Sequence, residues 1–198
     1  IGSLAGLALD DLVNDAGELK TDKRWKEQTK RLKTIRDSQP EAPKDLQAEL
    51  RDYQLEGFQW MSRLAEWGVG ACLADDMGLG KTVQTLALLL TRADKGAALV
   101  VAPTSVCNNW FSECQRFAPN LRPIFYRGKE RAALLDNIQA HDLLICSYGL
   151  LQQDAALFQA KHWSSIVLDE AQAIKNSQAK RTKAAYQLQG DFRLITTG

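Results

Sequence analysis

From residue 68 onward the chain alternates between short apolar runs and amphipathic stretches. The runs are "GVGACLA", "AALVVAP", "RPIFY", "DLLICS", "SSIVLDE" and "FRLITTG". They are too short for buried helices and partly β-branched, so they predict strands covered on both faces. The segments between them, among them "KTVQTLALLL" and "KERAALLDNIQA", predict helices. Strand and helix in turn predict an α/β fold: a doubly wound, mostly parallel sheet with helices on both faces. Ahead of the first run, "YQLEGFQWMSRLAEWG" sets Leu55, Phe58, Met61 and Ala65 on one face at helical spacing, and Gly68 is the predicted stop.

Earlier still the composition changes. Residues Leu4 to Arg36 read as helix interrupted at Gly17, and "DSQPEAPKD" supplies the prolines and polar residues of a linker. This divides the chain into a helical extension and linker, 1–43, and a domain over 44–198. A length of 198 residues is enough for one domain with a sizeable core. The chain opens on Ile1 without a signal-peptide layout, which is expected of a piece of a longer protein. The longest apolar run, "LALLL", is far too short to cross a bilayer, so no membrane partner is expected.

Charge and cysteine change the picture in two places. The net charge of +1 argues against a generally basic surface, yet "KTDKRWKEQTKRLKTIR" carries eight Lys and Arg against Asp22 and Glu27. That run reads as a solvated helix, with an accessory DNA-binding or autoinhibitory segment as the sharper alternative. The four cysteines, Cys72, Cys107, Cys114 and Cys146, form no close pair and no cluster with histidine, so neither zinc ligation nor a disulfide framework is suggested.

The candidate chemistry begins with "CLADDMGLGKT". "GLGKT" between a strand and a helix offers the backbone N–H groups of Gly78, Leu79 and Gly80 and a helix N-terminus to a polyphosphate. Lys81 would reach the β- and γ-phosphates and the Thr82 hydroxyl would bind Mg²⁺. Asp75 stands where a strict phosphate-binding loop has its first glycine. That position shapes the turn leaving the strand, so the substitution is tolerable if Asp75 and Asp76 point away. A second strand must then bring a carboxylate to the metal, and "SSIVLDEAQ" ends in Asp169 and Glu170. Asp169 would hold Mg²⁺, and Glu170 would orient or deprotonate the attacking water. A nucleoside triphosphate and Mg²⁺ are thus the expected ligands, and Glu170 argues for hydrolysis.

With both elements placed, the sequence resembles the superfamily-two helicase-like ATPases, and within them the Swi/Snf family of duplex-DNA translocases. The resemblance rests on six blocks in order: "LRDYQLEGFQW", "LADDMGLGKTVQT", "VVAPTSVCNNWFSE", "ICSYGLL", "LDEAQAIKN" and "LITTG". It implies a RecA-like first lobe over 44–198 that stops within the last of these motifs, and a second RecA-like lobe as partner, which would supply an arginine finger. For this chain without that lobe, weak nucleotide binding and almost no turnover are expected. The resemblance makes the acidic pair before "MGLGKT" ordinary and assigns the stretch Met77 to Val83 to the nucleotide. It gives Gln54 to adenine, read through both ends of its amide. Gln172, where the family more often has His, would couple the nucleotide site to the "LITTG" motif or to the second lobe.

For DNA, the resemblance points to Thr104, Ser105, Ser147 and Tyr148, whose hydroxyls and N–H groups would meet backbone phosphates, and to Lys175 and Asn176. Such contacts position a duplex without reading bases. Trp110 is expected to pack in the core rather than stack on bases. The implied function is ATP hydrolysis coupled to movement along duplex DNA, with remodelling of protein–DNA complexes and a target such as RNA polymerase or a nucleoprotein. The setting would be nucleoid-associated cytoplasm in a bacterium or the nucleus in a eukaryote. An RNA- or single-strand-directed helicase, an ATP-gated interaction scaffold and a small-molecule kinase are the alternatives.

Overall fold

The computed structural model describes residues 27, 30, 33–74, 78–174 and 179–197. The chain divides into two compact units, 1–40 and 41–198. In the first, residues 33–37 are helical. The rest of the expected helix over 4–36 lies almost entirely outside the described residues.

In the second unit, all six apolar runs are strands: β1 (Ala71–Leu73), β2 (Ala98–Ala102), β3 (Arg122–Phe125), β4 (Asp142–Ser147), β6 (Ser165–Leu168) and β8 (Arg193–Thr196). They form one six-stranded sheet in the order β1-β8-β6-β2-β4-β3, with every pairing parallel. Two further strands, β5 (His162–Trp163) and β7 (Gln189–Gly190), pair with each other. Strands of two residues carry no readable period, so the hydrophobic pattern does not signal them.

Burial explains why these runs have no polar face. All of β2 and β6 is buried, and alternate residues serve opposite cores. Val100, Ala102, Leu143, Ile145 and Val167 face a cluster built with α1 (Asp52–Trp67), α2 (Lys81–Thr91) and α3 (Thr104–Phe117). Leu99, Val101, Leu144, Cys146 and Leu168 face the other cluster, with α5 (Tyr148–Gln153), α6 (Ala155–Gln159) and α7 (Lys180–Tyr186). This is the period-two alternation of a sheet sandwiched between helices. In α1, Phe58 and Met61 are buried, Leu55 and Ala65 pack beside them, and Gly68 closes the helix at φ 82°.

One predicted helix is shorter than expected. "KERAALLDNIQA" forms only α4 (Ala132–Asp136), and the Asn137 amide donates to the Ala133 carbonyl at 3.3 Å, turning the end of the helix on itself. Asparagine competes with the helical ladder in this way.

Strand register decides where the candidate residues meet. Leu73 pairs with Thr196, and Ile195 pairs with Leu168, so β1, β8 and β6 end at the same edge of the sheet. Ligands in parallel α/β sheets bind beyond that edge.

Candidate functional site

The loop after β1 enters α2 through two glycines in the left-handed region, Gly78 at φ 85° and Gly80 at φ 76°. A side chain is strained at either position, which is why the sequence has glycine there. A Cβ on Gly78 would meet nothing within 4 Å, so backbone is open to a ligand at that point; one on Gly80 would lie 2.3 Å from Gln54 Nε2. Gln54 braces the loop from α1: its Nε2 donates to the Leu79 carbonyl at 3.2 Å and its Oε1 accepts from the Arg51 N–H at 3.0 Å. An amide has two donor hydrogens and two lone pairs, so one of each remains, the pair an adenine edge requires. From α2, Gln84 Nε2 reaches the same carbonyl at 3.4 Å.

Two strands away, Asp169 follows β6. Its N–H donates to the Val101 carbonyl at 2.8 Å, extending the β6–β2 ladder one step and fixing where the side chain leaves the sheet. The carboxylate is buried and accepts three hydrogen bonds. Oδ1 takes the Thr196 hydroxyl at 2.5 Å and the Glu170 N–H at 3.0 Å, and Oδ2 takes the Trp110 indole N–H at 2.7 Å. Strands separated by one neighbour lie about 10 Å apart. Lys81 and Asp169 accordingly line one cleft of about 420 Å³, together with Gly78, Gly80, Thr82, Glu170 and Thr196. Glu170 has φ 50°, a conformation uncommon outside glycine and found often at functional sites.

Glu170 is engaged by Gln172, whose Nε2 donates to Glu170 Oε2, and Gln172 Oε1 in turn accepts from the Thr197 hydroxyl at 3.1 Å. A contact chain therefore runs from the end of β8 through Gln172 to Glu170. Residues far apart in sequence, 54, 78–82, 169–172 and 196–197, meet at one edge of the sheet.

Residues 53–198 match the SNF2-related domain. The chain belongs to the SNF2-related family. It is 39% identical over 175 residues to a chromatin-remodeling ATPase INO80 of Sclerotinia sclerotiorum, covering 80% of this chain, and 42% identical over 157 residues to a putative ATP-dependent helicase/translocase, YwqA, of Bacillus subtilis, covering 75%. The chain spans 10% of the length of the first and 17% of the second. Among solved structures it is similar to the Sulfolobus solfataricus SWI2/SNF2 ATPase core in complex with dsDNA, with a TM-score of 0.73 and 36% identity over 81% of this chain and 34% of that one. The fold is the RecA-like fold of that core.

The SNF2-related site differs from the sequence expectations in several particulars. Tyr148 is buried and its hydroxyl donates to the Asp169 carbonyl at 2.8 Å, so it braces the acidic turn instead of facing a phosphate. Burial, reinforced by the negative charges of Asp169 and Glu170, pushes that phenol well above its ordinary pKa. Ser147 Oγ caps α5 by accepting from the Leu150 N–H at 3.3 Å. Thr104 and Ser105 are exposed in the first turn of α3, but Ser105 lines the cleft shared by Lys81 and Asp169. Trp110 does pack in the core, and its indole also holds Asp169, a role that composition and spacing did not signal. Asp75, Asp76, Met77, Lys175 and Asn176 lie outside the described residues.

The donor set suits a hard cation with oxygen ligands. Among the described residues no group of three or more His, Cys, Asp or Glu is placed to hold a metal unaided. Mg²⁺ is usually held by one or two carboxylates together with substrate phosphates, and Asp169 and the Thr82 hydroxyl line the same cleft. Among the described residues no helix is long and apolar enough to cross a membrane.

Proposed function

We propose that this chain is the nucleotide-binding lobe of an ATPase that couples ATP hydrolysis to movement along duplex DNA. The observation that carries the proposal is the single cleft shared by the glycine loop, Lys81, Thr82, Asp169 and Glu170. The backbone at Gly78 and Gly80, the start of α2 and the Lys81 ammonium receive the phosphates. Thr82 and Asp169 are the residues that would hold Mg²⁺, which would supply positive charge against that developing on the phosphates. Glu170 orients the attacking water and accepts its proton, and Gln172 sets the Glu170 carboxylate through the contact described above. The free donor and acceptor of Gln54 read the adenine edge, and Val83, in the first turn of α2, belongs to the same nucleotide-binding stretch.

Duplex DNA as the partner is supported by the similarity to the Sulfolobus core solved with dsDNA. Thr104 and Ser105 remain the candidate phosphate contacts, as do Lys175 and Asn176, which lie outside the described residues. Since the chain matches 34% of that core, we infer that catalysis also requires a second lobe contributing an arginine, an effect worth about 10³ to 10⁵ in rate. The name chromatin-remodeling ATPase carried by the INO80 relatives supports a chromatin target, and with it a nuclear setting. A scaffold without turnover is disfavoured by Glu170, which lies in the cleft with the phosphate loop.

The test is the ATPase rate of the protein carrying both lobes, measured alone and with duplex DNA, single-stranded DNA or RNA. Stimulation by duplex DNA that Lys81→Ala and Glu170→Gln abolish supports the proposal. Stimulation by RNA or single strands alone would redirect it to a strand-directed helicase, and no stimulation by any of them would favour the scaffold.

A further inference from the structure

We propose that Trp110 is a positioning residue for the metal-holding carboxylate of Asp169, an inference that rests on the nucleotide-site reading above. The two donors to Oδ1 come from Thr196 and the backbone of Glu170, and Trp110 is the donor to Oδ2. An ionised carboxylate has about four acceptor positions, so three are taken and the one left lies on Oδ2, beside the cleft. The two donors on Oδ1 hold one side of the carboxylate group against rotation about the Cβ–Cγ bond. The indole on Oδ2 restrains the other side and occupies one of that oxygen's two lone pairs, which leaves a single acceptor direction for a metal.

The indole is well suited to this. Its N–H is a donor only, so it never competes for the metal. Trp110 is 1% exposed and sits between buried Cys107 and Cys114 on the inner face of α3. The next residue, Phe111, stacks on Phe125 of β3 with ring centroids 4.4 Å apart, which fixes the rotation of α3 about its axis. The ring therefore has no room to swing away. Packing alone would be met by an aromatic without a donor. Trp163 provides the contrast: it is equally buried, but on the opposite face of the sheet, and its N–H goes to the Phe158 carbonyl at 3.3 Å.

Residues that orient a metal ligand typically change metal affinity 10- to 100-fold when lost. The experiment monitors fluorescence of a mant-ATP probe on the chain while Mg²⁺ is varied, with a chelator sample giving the metal-free affinity. For Trp110→Phe the metal-free affinity is expected within about twofold of wild type, while the Mg²⁺ midpoint rises about tenfold or more. For Trp163→Phe the melting temperature should fall while the Mg²⁺ midpoint stays put. An unchanged Mg²⁺ midpoint in Trp110→Phe would overturn the inference alone; a wild type whose probe binding ignores Mg²⁺ would overturn the nucleotide reading beneath it. If Trp110→Phe does not fold, indole ¹H–¹⁵N spectra of wild type and Asp169→Ala decide the matter. One of the five tryptophan N–H signals should move upfield when the carboxylate is removed, and no movement in any of them would refute the contact.

Discussion

The Thr196 hydroxyl donates to Asp169 Oδ1 at 2.5 Å, tying the end of β8 to the turn after its neighbour β6. Both residues are buried, so the bond is shielded from water. A hydrogen bond to a charged group contributes about 1.5–3 kcal/mol, and a buried acceptor left short of a donor is costly. Thr196→Val, which keeps the shape and removes the hydroxyl, should lower stability by about 2 kcal/mol and the melting temperature by about 4–8 °C. Thr196→Ser should recover most of that loss in the same thermal melt.

Gly80 combines a left-handed backbone with a close neighbour, since an added Cβ would lie 2.3 Å from the end of the Gln54 side chain. The flexible Gln54 can retreat, so the larger cost is the backbone, about 1–2 kcal/mol for a non-glycine residue in that region. Gly80→Ala should fold with a modest loss of stability but bind mant-ATP at least about tenfold more weakly, because both the loop and its Gln54 brace are displaced.

Gln172 connects Thr197 to Glu170 without lining the phosphate loop. Gln172→Ala should leave nucleotide affinity near wild type and lower DNA-stimulated kcat about tenfold, the equivalent of about 1.4 kcal/mol in the barrier. Equal losses in affinity and kcat would show that Gln172 belongs to binding instead.

A pH dependence of stability is expected at His141. Its ring contacts Asp94 Oδ1 at 2.8 Å and the Asn120 carbonyl at 3.1 Å, and the Asp94 bond, together with the weaker effect of that carbonyl, holds its pKa above the ordinary histidine value. A raised pKa in the folded state contributes stability that is complete below the unfolded value, about 6.5, and is lost as pH rises through the folded one. The pair is exposed, so screening keeps its contribution below about 1 kcal/mol. His141→Gln should therefore melt at most about 3 °C below wild type at pH 5.5, with the gap closing by pH 8.5.

The strands and the phosphate loop were legible because each depends on contiguous residues: six apolar runs, and a Gly-x-Gly-Lys-Thr sequence at a strand–helix junction. Asp169 and Glu170 were legible for the same reason, at the end of "SSIVLDE". What holds Asp169 was not. Its indole partner lies 59 residues away on α3, and helical periodicity marks Trp110 as core without saying where its N–H points. Tyr148 was misjudged on similar grounds, because a strand-end Ser-Tyr suggests exposed hydroxyls until the fold brings the Asp169 carbonyl to the phenol.

Whether the cleft between Lys81 and Asp169 holds a magnesium nucleotide is decided by equilibrium binding of mant-ATP with and without Mg²⁺. Wild type should bind more tightly with the metal. Lys81→Ala should lose about tenfold or more in affinity in either condition, and Asp169→Ala should lose only the Mg²⁺ enhancement. Binding by both variants indistinguishable from wild type would contradict the account.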